Sequence, residues 1–241
     1  MPKPYYNRNG HTLYLDDCMS VLPQLPAKSV DLIVTDPPYG GMFRSNFGKN
    51  FPHMKNDDDL RFIRECIDEA CYVLQPHRHV YVFGDDKNVM PEIFSSVIEI
   101  IWDKAQLGMG NLRSPYSKSH ECIYFGSYVP SRANRKGGKG NLSARMRQGS
   151  VITVKRKNSK ANWNHPTEKP VSLLRQLIES SSLLGETVLD PFVGVGSTQV
   201  AAILEGRKSI GIEIEEKYAE IAADRIDTAL DIMQDVASYI K

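Results

Sequence analysis

Residues 187–198 have the sequence TVLDPFVGVGST, which combines a short apolar strand, a glycine turn and the start of a helix. The strand ends at Asp190, Gly194 and Gly196 form the turn, and the helix is predicted to begin near Ser197. Glycines let the backbone approach a ligand closely, and the first helical turn offers free N–H groups and the positive end of the helix dipole. Ligands bind at the carboxyl ends of strands in doubly wound sheets. This stretch therefore predicts an α/β fold with a ligand site at the turn.

The following strand supplies an acidic side chain for the same site. Glu213 lies near the end of an apolar run, 23 residues after Asp190. A carboxylate at this place can accept both hydroxyl protons of a ribose. The full dinucleotide fingerprint is missing because position 199 is Gln, and no P-loop lysine follows. The pattern favours a nucleoside-bearing ligand, and its alternative is a tight turn beside a solvent-exposed glutamate.

A second strand end forms a rigid corner. Residues 30–39 are VDLIVTDPPY, a buried strand that must stop at its two prolines. Because the prolines fix the backbone, the Asp36 carboxylate and the Pro37 carbonyl can serve as two rigid acceptors, with the Tyr39 ring beside them. Two fixed acceptors suit the two N–H donors of a nucleobase amine, and an aromatic ring stacks on the base. The corner indicates catalysis by positioning, and its alternative is a proline-stiffened loop.

The rest of the chain alternates between strand and helix patterns. Strands separated by helices predict a mostly parallel, doubly wound sheet. Only the segment 127–164, which is rich in Gly, Ser, Asn and basic residues, is expected to lie outside that sheet. Further strands are predicted at 79–83, 97–102, 121–125 and 209–214, and helices at 59–74, 171–184, 197–205 and from 216 onward.

Positive charge is concentrated in one part of a chain whose net charge is only +1. No acidic residue occurs between Glu121 and Glu168. A local block of one sign is a candidate surface for a polyanion, and its alternative is a solvated loop. The basic residues of this block are Arg132, Arg135, Lys136, Lys139, Arg145, Arg147, Lys155, Arg156, Lys157 and Lys160.

Length and composition are those of a globular protein of one domain. The 241 residues are 41% hydrophobic and 24% charged, and no apolar run is long enough to span a membrane. The amino-terminal residues form no apolar signal core, so a cytoplasmic location is expected. The four cysteines form no C-x-x-C pair, which excludes the common zinc-ribbon and thioredoxin spacings, and no metal site is predicted.

Together these motifs resemble the beta group of S-adenosylmethionine-dependent DNA amino-methyltransferases, of the adenine-N6 type. Residues 36–39 (DPPY) resemble the catalytic motif of that family, and residues 190–198 resemble its cofactor motif. Residues 165–170 (HPTEKP) resemble the segment before the cofactor motif. Glu213 matches the family's ribose-binding acid. Asp17 matches a position that members of the family place near the adenine of the cofactor. The order, with a basic segment between the catalytic and cofactor motifs, is that of the beta group.

The resemblance implies a Rossmann-like methyltransferase fold, with a doubly wound, mostly parallel seven-stranded sheet and a small basic target-recognition insert. It divides the chain into a catalytic part (1–126), the insert (127–164) and a cofactor-binding part (165–241). Catalysis is expected from Asp36, Pro37, Pro38 and Tyr39. The residues expected to bind S-adenosyl-L-methionine are Asp17, His165, Thr167, Lys169, Asp190, Phe192, Gly194, Gly196, Ser197, Thr198 and Glu213. The residues expected to bind DNA are Arg132, Arg135, Lys136, Lys139, Arg145, Arg147, Lys155, Arg156 and Lys157.

The implied reaction is methylation of the N6 amine of adenine in duplex DNA, after the base has been flipped out of the helix. Residues 40–56 are expected to close over that base. Asp36 as the first residue of its motif resembles adenine enzymes, whereas cytosine-N4 relatives more often have Ser there. Cytosine-C5 chemistry needs a Pro-Cys nucleophile, which the chain lacks.

Several alternatives stay open at this point. They are a cytosine-N4 enzyme, an enzyme that methylates RNA or a protein side-chain amide, and an inactive nucleic-acid-binding module. The resemblance also raises three expectations about partners: double-stranded DNA in the nucleoid, a second copy of the chain in a homodimer, and a cognate restriction endonuclease.

Overall fold

The computed structural model describes residues 2–38, 60–94, 96–106, 115–128, 148–155 and 168–239. Within these ranges the chain forms one sheet flanked by helices. The strands are β1 (Tyr6–Arg8), β2 (His11–Leu15), β3 (Val30–Thr35), β4 (Leu74–Phe83), β5 (Val97–Asp103), β6 (His120–Ser127), β7 (Val151–Thr153), β8 (Thr187–Asp190) and β9 (Lys208–Glu213). The α-helices are α1 (Cys18–Val21), α2 (Leu60–Val73), α3 (Val171–Ser181), α4 (Ser197–Leu204) and α5 (Glu216–Tyr239).

The sheet has the strand order β1-β2-β9-β8-β3-β4-β6-β5-β7. Strands β2, β9, β8, β3 and β4 run parallel to one another, whereas β1 is antiparallel to β2, and β6 is antiparallel to both β4 and β5. The prediction of an α/β, mostly parallel sheet is therefore confirmed. The expected number of seven strands was wrong, because the described residues form nine.

Edge strands account for this difference. β1 forms a hairpin with β2 through Asn9 and Gly10, whose φ angles are 51° and 86°. An Asn-Gly pair favours a hairpin turn of this kind, since both central residues need positive φ. At the other edge, β7 runs parallel to β5. The prediction that the whole of 127–164 lies outside the sheet was wrong, because Val151–Thr153 hydrogen-bonds along this edge. The proposed domain boundaries stay a prediction.

Strand β3 shows why the sheet must be covered on both sides. Leu32 and Val34 belong to the core cluster beneath α3 and α4, whereas Ile33 belongs to the cluster beneath α1 and α2. Successive strand residues point to opposite faces, so an uninterrupted apolar run is typical of a strand buried on both. The predicted strands and helices are all present, with ends that differ by a few residues. In the described part of the chain, no helix is long and apolar enough to cross a membrane.

Candidate functional site

The two sequence motifs lie at the same edge of the sheet. β3 and β8 are parallel neighbours, with Ile33 opposite Leu189. At the ends of these strands the Thr35 hydroxyl donates to Asp190 Oδ1 over 2.8 Å. Because parallel strands end at a common edge, Asp36 and the glycine turn face the same region of the molecule. The proline corner and the glycine turn therefore lie at one edge of the sheet, as a common site for both motifs needs.

Asp190 fixes the shape of the turn that follows it. Its side chain is almost fully buried, and Oδ1 also accepts from the Phe192 N–H over 3.1 Å. Burial raises the pKa of Asp190 to about 6, although hydrogen bonds from Thr198, Thr35 and Phe192 act in the opposite direction. The carboxylate therefore faces into the turn and ties β3, the turn and the first helical residues of α4 together.

The two glycines of the turn have different surroundings. Gly194 has a φ of +53° and open space where a Cβ would stand. Gly196 has a φ of +79°, and a Cβ added there would lie 3.0 Å from the Cβ of Ala222 on α5. Both positive angles favour glycine. Gly196 thus allows the close approach of α5, and Gly194 leaves an open surface above the turn.

Glu213 closes the turn from the neighbouring strand. Its Oε2 accepts from the Gly194 N–H over 2.7 Å, and its Oε1 from the Glu215 N–H over 2.9 Å. Burial raises the pKa of Glu213 to about 7, although these backbone bonds lower it. Each oxygen retains a lone pair for a further donor. The carboxylate is thus held in place and can still accept hydrogen bonds from hydroxyl groups.

Asp17 lies beside Glu213 at the same sheet edge. β2 and β9 pair in parallel with Leu15 opposite Glu213, and the Asp16 N–H donates to the Glu213 carbonyl over 3.0 Å. Asp17 Oδ1 accepts from the Met19 N–H over 2.8 Å and so caps α1. The position expected near the adenine of the cofactor therefore lies next to the acid expected on its ribose.

Lys169 connects the segment before the cofactor motif to the proline corner. Its Nζ lies 2.5 Å from Asp36 Oδ2 and 5.0 Å from the centre of the Phe83 ring. Burial lowers the pKa of this ammonium, but Asp36 and Glu121 outweigh that effect and the net pKa is raised. Lys169 was predicted as a cofactor residue, and the structure places its charge against the predicted catalytic carboxylate. Pro37 is buried and Pro38 is half-buried beside it.

Arg225, on α5, lies beside the site and was not predicted from the sequence. Its guanidinium donates to Glu168 Oε1 over 2.7 Å and to the Val195 carbonyl over 2.6 Å. Ser197 Oγ lies 3.4 Å from the same Glu168 oxygen. These contacts join the Glu168–Lys169 segment to the glycine turn. A single Arg on an amphipathic helix gives no sequence signal of such a role.

The remaining predicted positions divide into two groups. Phe192 is half-buried against the core, Ser197 and Thr198 are buried at the start of α4, and Lys155 is exposed just after β7. The others lie outside the described residues, as does the predicted loop 40–56, and their roles stay predictions. They are Tyr39, His165, Thr167, Arg132, Arg135, Lys136, Lys139, Arg145, Arg147, Arg156 and Lys157.

The cysteines are packed as thiols. All four are free, and Cys18 Sγ lies 3.3 Å from Cys66 Sγ between α1 and α2. Burial raises the pKa of Cys71 to about 12 and that of Cys122 to about 11. Such thiols are poor nucleophiles near neutral pH. Across the segments that the structure describes, no group of three or more His, Cys, Asp or Glu side chains is arranged to hold a metal ion.

Residues 30–224 match the DNA methylase family, and this range includes both motifs and the strands that bring them together. The chain belongs to the DNA methylase family. It is 31% identical to the type II methyltransferase M2.DpnII of Streptococcus pneumoniae, over 94% of this chain and 93% of that protein. It is 29% identical to the DNA adenine methyltransferase YhdJ of Escherichia coli K12, over 93% of this chain and 85% of that protein.

Among solved structures, the fold resembles the M1.HpyAVI–SAM complex. The TM-score is 0.66 at 22% sequence identity, with 89% of this chain and 98% of that chain covered. At this identity the likeness concerns the fold. It agrees with the doubly wound sheet described above.

Proposed function

We propose that this protein transfers a methyl group from S-adenosyl-L-methionine to the exocyclic N6 amine of adenine in duplex DNA. The observation that supports this most directly is the contact between Thr35 and Asp190, which joins the end of β3 to the end of β8. It brings an amine-binding corner and a nucleoside-binding turn to one sheet edge, as a transfer between two bound groups requires.

The residues at the turn fit the adenosyl part of such a cofactor. Gly194 leaves open space above the turn, and Glu213 is anchored by two backbone N–H groups with lone pairs to spare. Glu213 would accept the ribose hydroxyls, and Asp17 would lie near the base. When bound, the cofactor supplies an electrophilic methyl group on a sulfonium.

At the corner, Asp36 and the Pro37 carbonyl would accept the two N–H donors of the target amine. Holding both protons orients the nitrogen lone pair and stabilises the positive charge that develops on nitrogen as its new bond forms. Because the nitrogen gives up a proton only after it has gained the methyl group, a strong general base is unnecessary. Tyr39 would stack on the base.

Adenine is favoured over cytosine by the first residue of the corner and by the relatives. Asp36 is the residue type of the adenine-N6 enzymes that the sequence resembles, and YhdJ is by name an adenine methyltransferase. The N4 amine of cytosine presents the same two donors, so a cytosine-N4 enzyme is the alternative. The product of the reaction distinguishes them.

The DNA would approach from the side of the basic segment. A base within a duplex cannot reach a strand-end corner, so flipping of the target base is part of the proposal. The basic residues of 127–164 would contact mainly phosphates, which position the duplex without specifying sequence. Such a protein would act in the cytoplasm at the nucleoid. A homodimer and a cognate restriction endonuclease belong to the proposal as partners.

The decisive experiment is transfer from S-adenosyl-L-[methyl-³H]methionine to duplex DNA, followed by digestion and nucleoside chromatography. We expect the label in N6-methyl-2′-deoxyadenosine, whereas label in N4-methyl-2′-deoxycytidine would select the alternative base. Asp36→Ala should abolish transfer while calorimetric cofactor binding persists. RNA and protein are offered as acceptors in parallel assays, and label that enters only these, or no label in any acceptor, would refute the proposal. In the last case, retained DNA binding would indicate the inactive binding module.

The basic segment is tested separately. Replacing Arg145 and Arg147 by Ala should weaken DNA binding and reduce the slope of log affinity against log salt by about two, because roughly one counterion is released per phosphate contact. The affinity is measured by fluorescence anisotropy at several salt concentrations. An unchanged slope would locate the phosphate contacts elsewhere.

A further inference from the structure

A second carboxylate, that of Glu121, lies near Asp36 without belonging to either sequence motif. Glu121 is the second residue of β6, which runs antiparallel to β4. The Gly84 N–H, just after β4, donates to the Cys122 carbonyl over 3.1 Å. The start of β6 thus lies at the same sheet edge as the carboxyl ends of β3 and β4.

Glu121 shares the Lys169 ammonium with Asp36. Lys169 Nζ lies 2.5 Å from Asp36 Oδ2 and 3.3 Å from Glu121 Oε2, while Glu121 Oε1 lies 2.7 Å from Lys104 Nζ. Four charged groups therefore alternate in sign along the corner: Asp36, Lys169, Glu121 and Lys104. The Lys169 side chain is only 8% exposed, so water screens these interactions weakly.

Both members of the central pair are held in their charged forms. Burial tends to raise the pKa of Glu121, but the Lys169 and Lys104 ammoniums outweigh it and the pKa is lowered. For Lys169, the two carboxylates outweigh burial and the pKa is raised. A buried ammonium between two carboxylates divides its attraction between them. Without Glu121, Lys169 would pair with only one of these two carboxylates, that of Asp36. The undivided attraction of the ammonium would make Asp36 a weaker hydrogen-bond acceptor for the target amine.

We propose that Glu121 is a positioning residue for methyl transfer: it holds the Lys169 ammonium between two carboxylates and so keeps Asp36 placed and available to accept from the target amine. This inference rests on the proposed function. Glu121 acts through Lys169, with which it forms an ion pair.

Glu121→Gln tests this role, because it removes the charge while preserving the size of the side chain. We expect the single-turnover rate constant for transfer to fall about 10- to 100-fold, a loss of the size seen when the partners that orient metal-ligating side chains are removed. Cofactor and DNA dissociation constants should stay within about twofold of wild type. Glu99→Gln on the neighbouring strand β5 makes the same chemical change at an exposed position and should leave all three quantities unchanged.

Two further measurements separate positioning from simple structural damage. In a double-mutant cycle, Glu121→Gln should have little additional effect on transfer once Lys169 has become Met, because the intermediary is already gone. Glu121→Asp retains the charge, so its rate should lie between those of wild type and Glu121→Gln. It also keeps the proposal testable where Lys169→Met does not fold.

A readout without cofactor or DNA is the ¹⁵N spectrum of the lysine ammonium groups. The Lys169 ammonium should exchange with water faster in Glu121→Gln than in wild type, because one of its acceptors is lost. A wild-type transfer rate in Glu121→Gln, equal rates in the Gln and Asp variants, or additive effects with Lys169→Met would each overturn the inference. An inactive wild-type protein would instead refute the proposed function.

Discussion

Cofactor affinity should depend on pH through Glu213. In the ligand-free protein this carboxyl is buried at the end of β9, and its pKa is raised to about 7. Only the ionised form can accept hydrogen bonds from both hydroxyls of a ribose. Below the raised pKa the carboxyl is protonated, so the fraction of protein able to bind the ribose falls and the apparent dissociation constant rises on acidification.

The magnitude follows from the ionised fraction. With a pKa of about 7, roughly 90% of the protein is ionised at about pH 8 and roughly 3% at about pH 5.5. The apparent dissociation constant should therefore rise about thirtyfold between these conditions, because it scales inversely with the competent fraction. The change corresponds to about 2 kcal/mol of binding free energy.

Isothermal titration calorimetry with S-adenosylhomocysteine, which cannot react, measures this constant across the pH series. The dissociation constant of the wild-type protein is divided by that of Glu213→Gln at each pH. This ratio cancels the effects of ionisation of the ligand and of Asp190, whose pKa is raised to about 6. Glu215→Gln, an exposed neighbour, is the control and should retain the wild-type dependence. A ratio that stays constant from pH 5.5 to 8 would refute the assignment of Glu213 to the ribose.

Two other comparisons test the fold around the site. Gly196→Ala should lower the free energy of unfolding by about 2 kcal/mol or more, since it adds strain at positive φ and a close contact with Ala222. In Gly194→Ala the added Cβ contacts no other atom, so this variant should lose less stability. Gly194→Ala should lose more cofactor affinity, because its Cβ would enter the open space above the turn. Denaturant unfolding and calorimetry measure both, and equal losses in the two variants would contradict the different surroundings of these glycines. Arg78→Met should cost about 3–5 kcal/mol because it leaves two partly buried carboxylates without their buried cation. Arg175→Met, at a half-exposed ion pair, should cost about 0–1 kcal/mol, and similar losses for the two arginine variants would contradict the importance of burial.

Much of the architecture was predictable because it depends on local patterns. The uninterrupted apolar run of β3, whose Leu32 and Ile33 pack on opposite faces of the sheet, is typical of a strand buried on both sides. Glycine at 194 and 196 predicted the turn between β8 and α4, and both residues have positive φ in the structure. The hairpin at Asn9 and Gly10 was also available from its turn chemistry, but it was not predicted.

The electrostatic organisation of the corner had no such local signal. A charged residue on a strand or helix, such as Glu121 or Arg225, looks the same in sequence whether it faces solvent or a distant partner. Lys169 was assigned to the cofactor from its motif, and its ion pairs with Asp36 and Glu121 depend on strands that are far apart in the chain. Short-range patterns specify strands, turns and helix starts, because backbone geometry responds to immediate neighbours. Which charges meet depends on how the strands are ordered in the sheet, and that order is set by packing of the whole core.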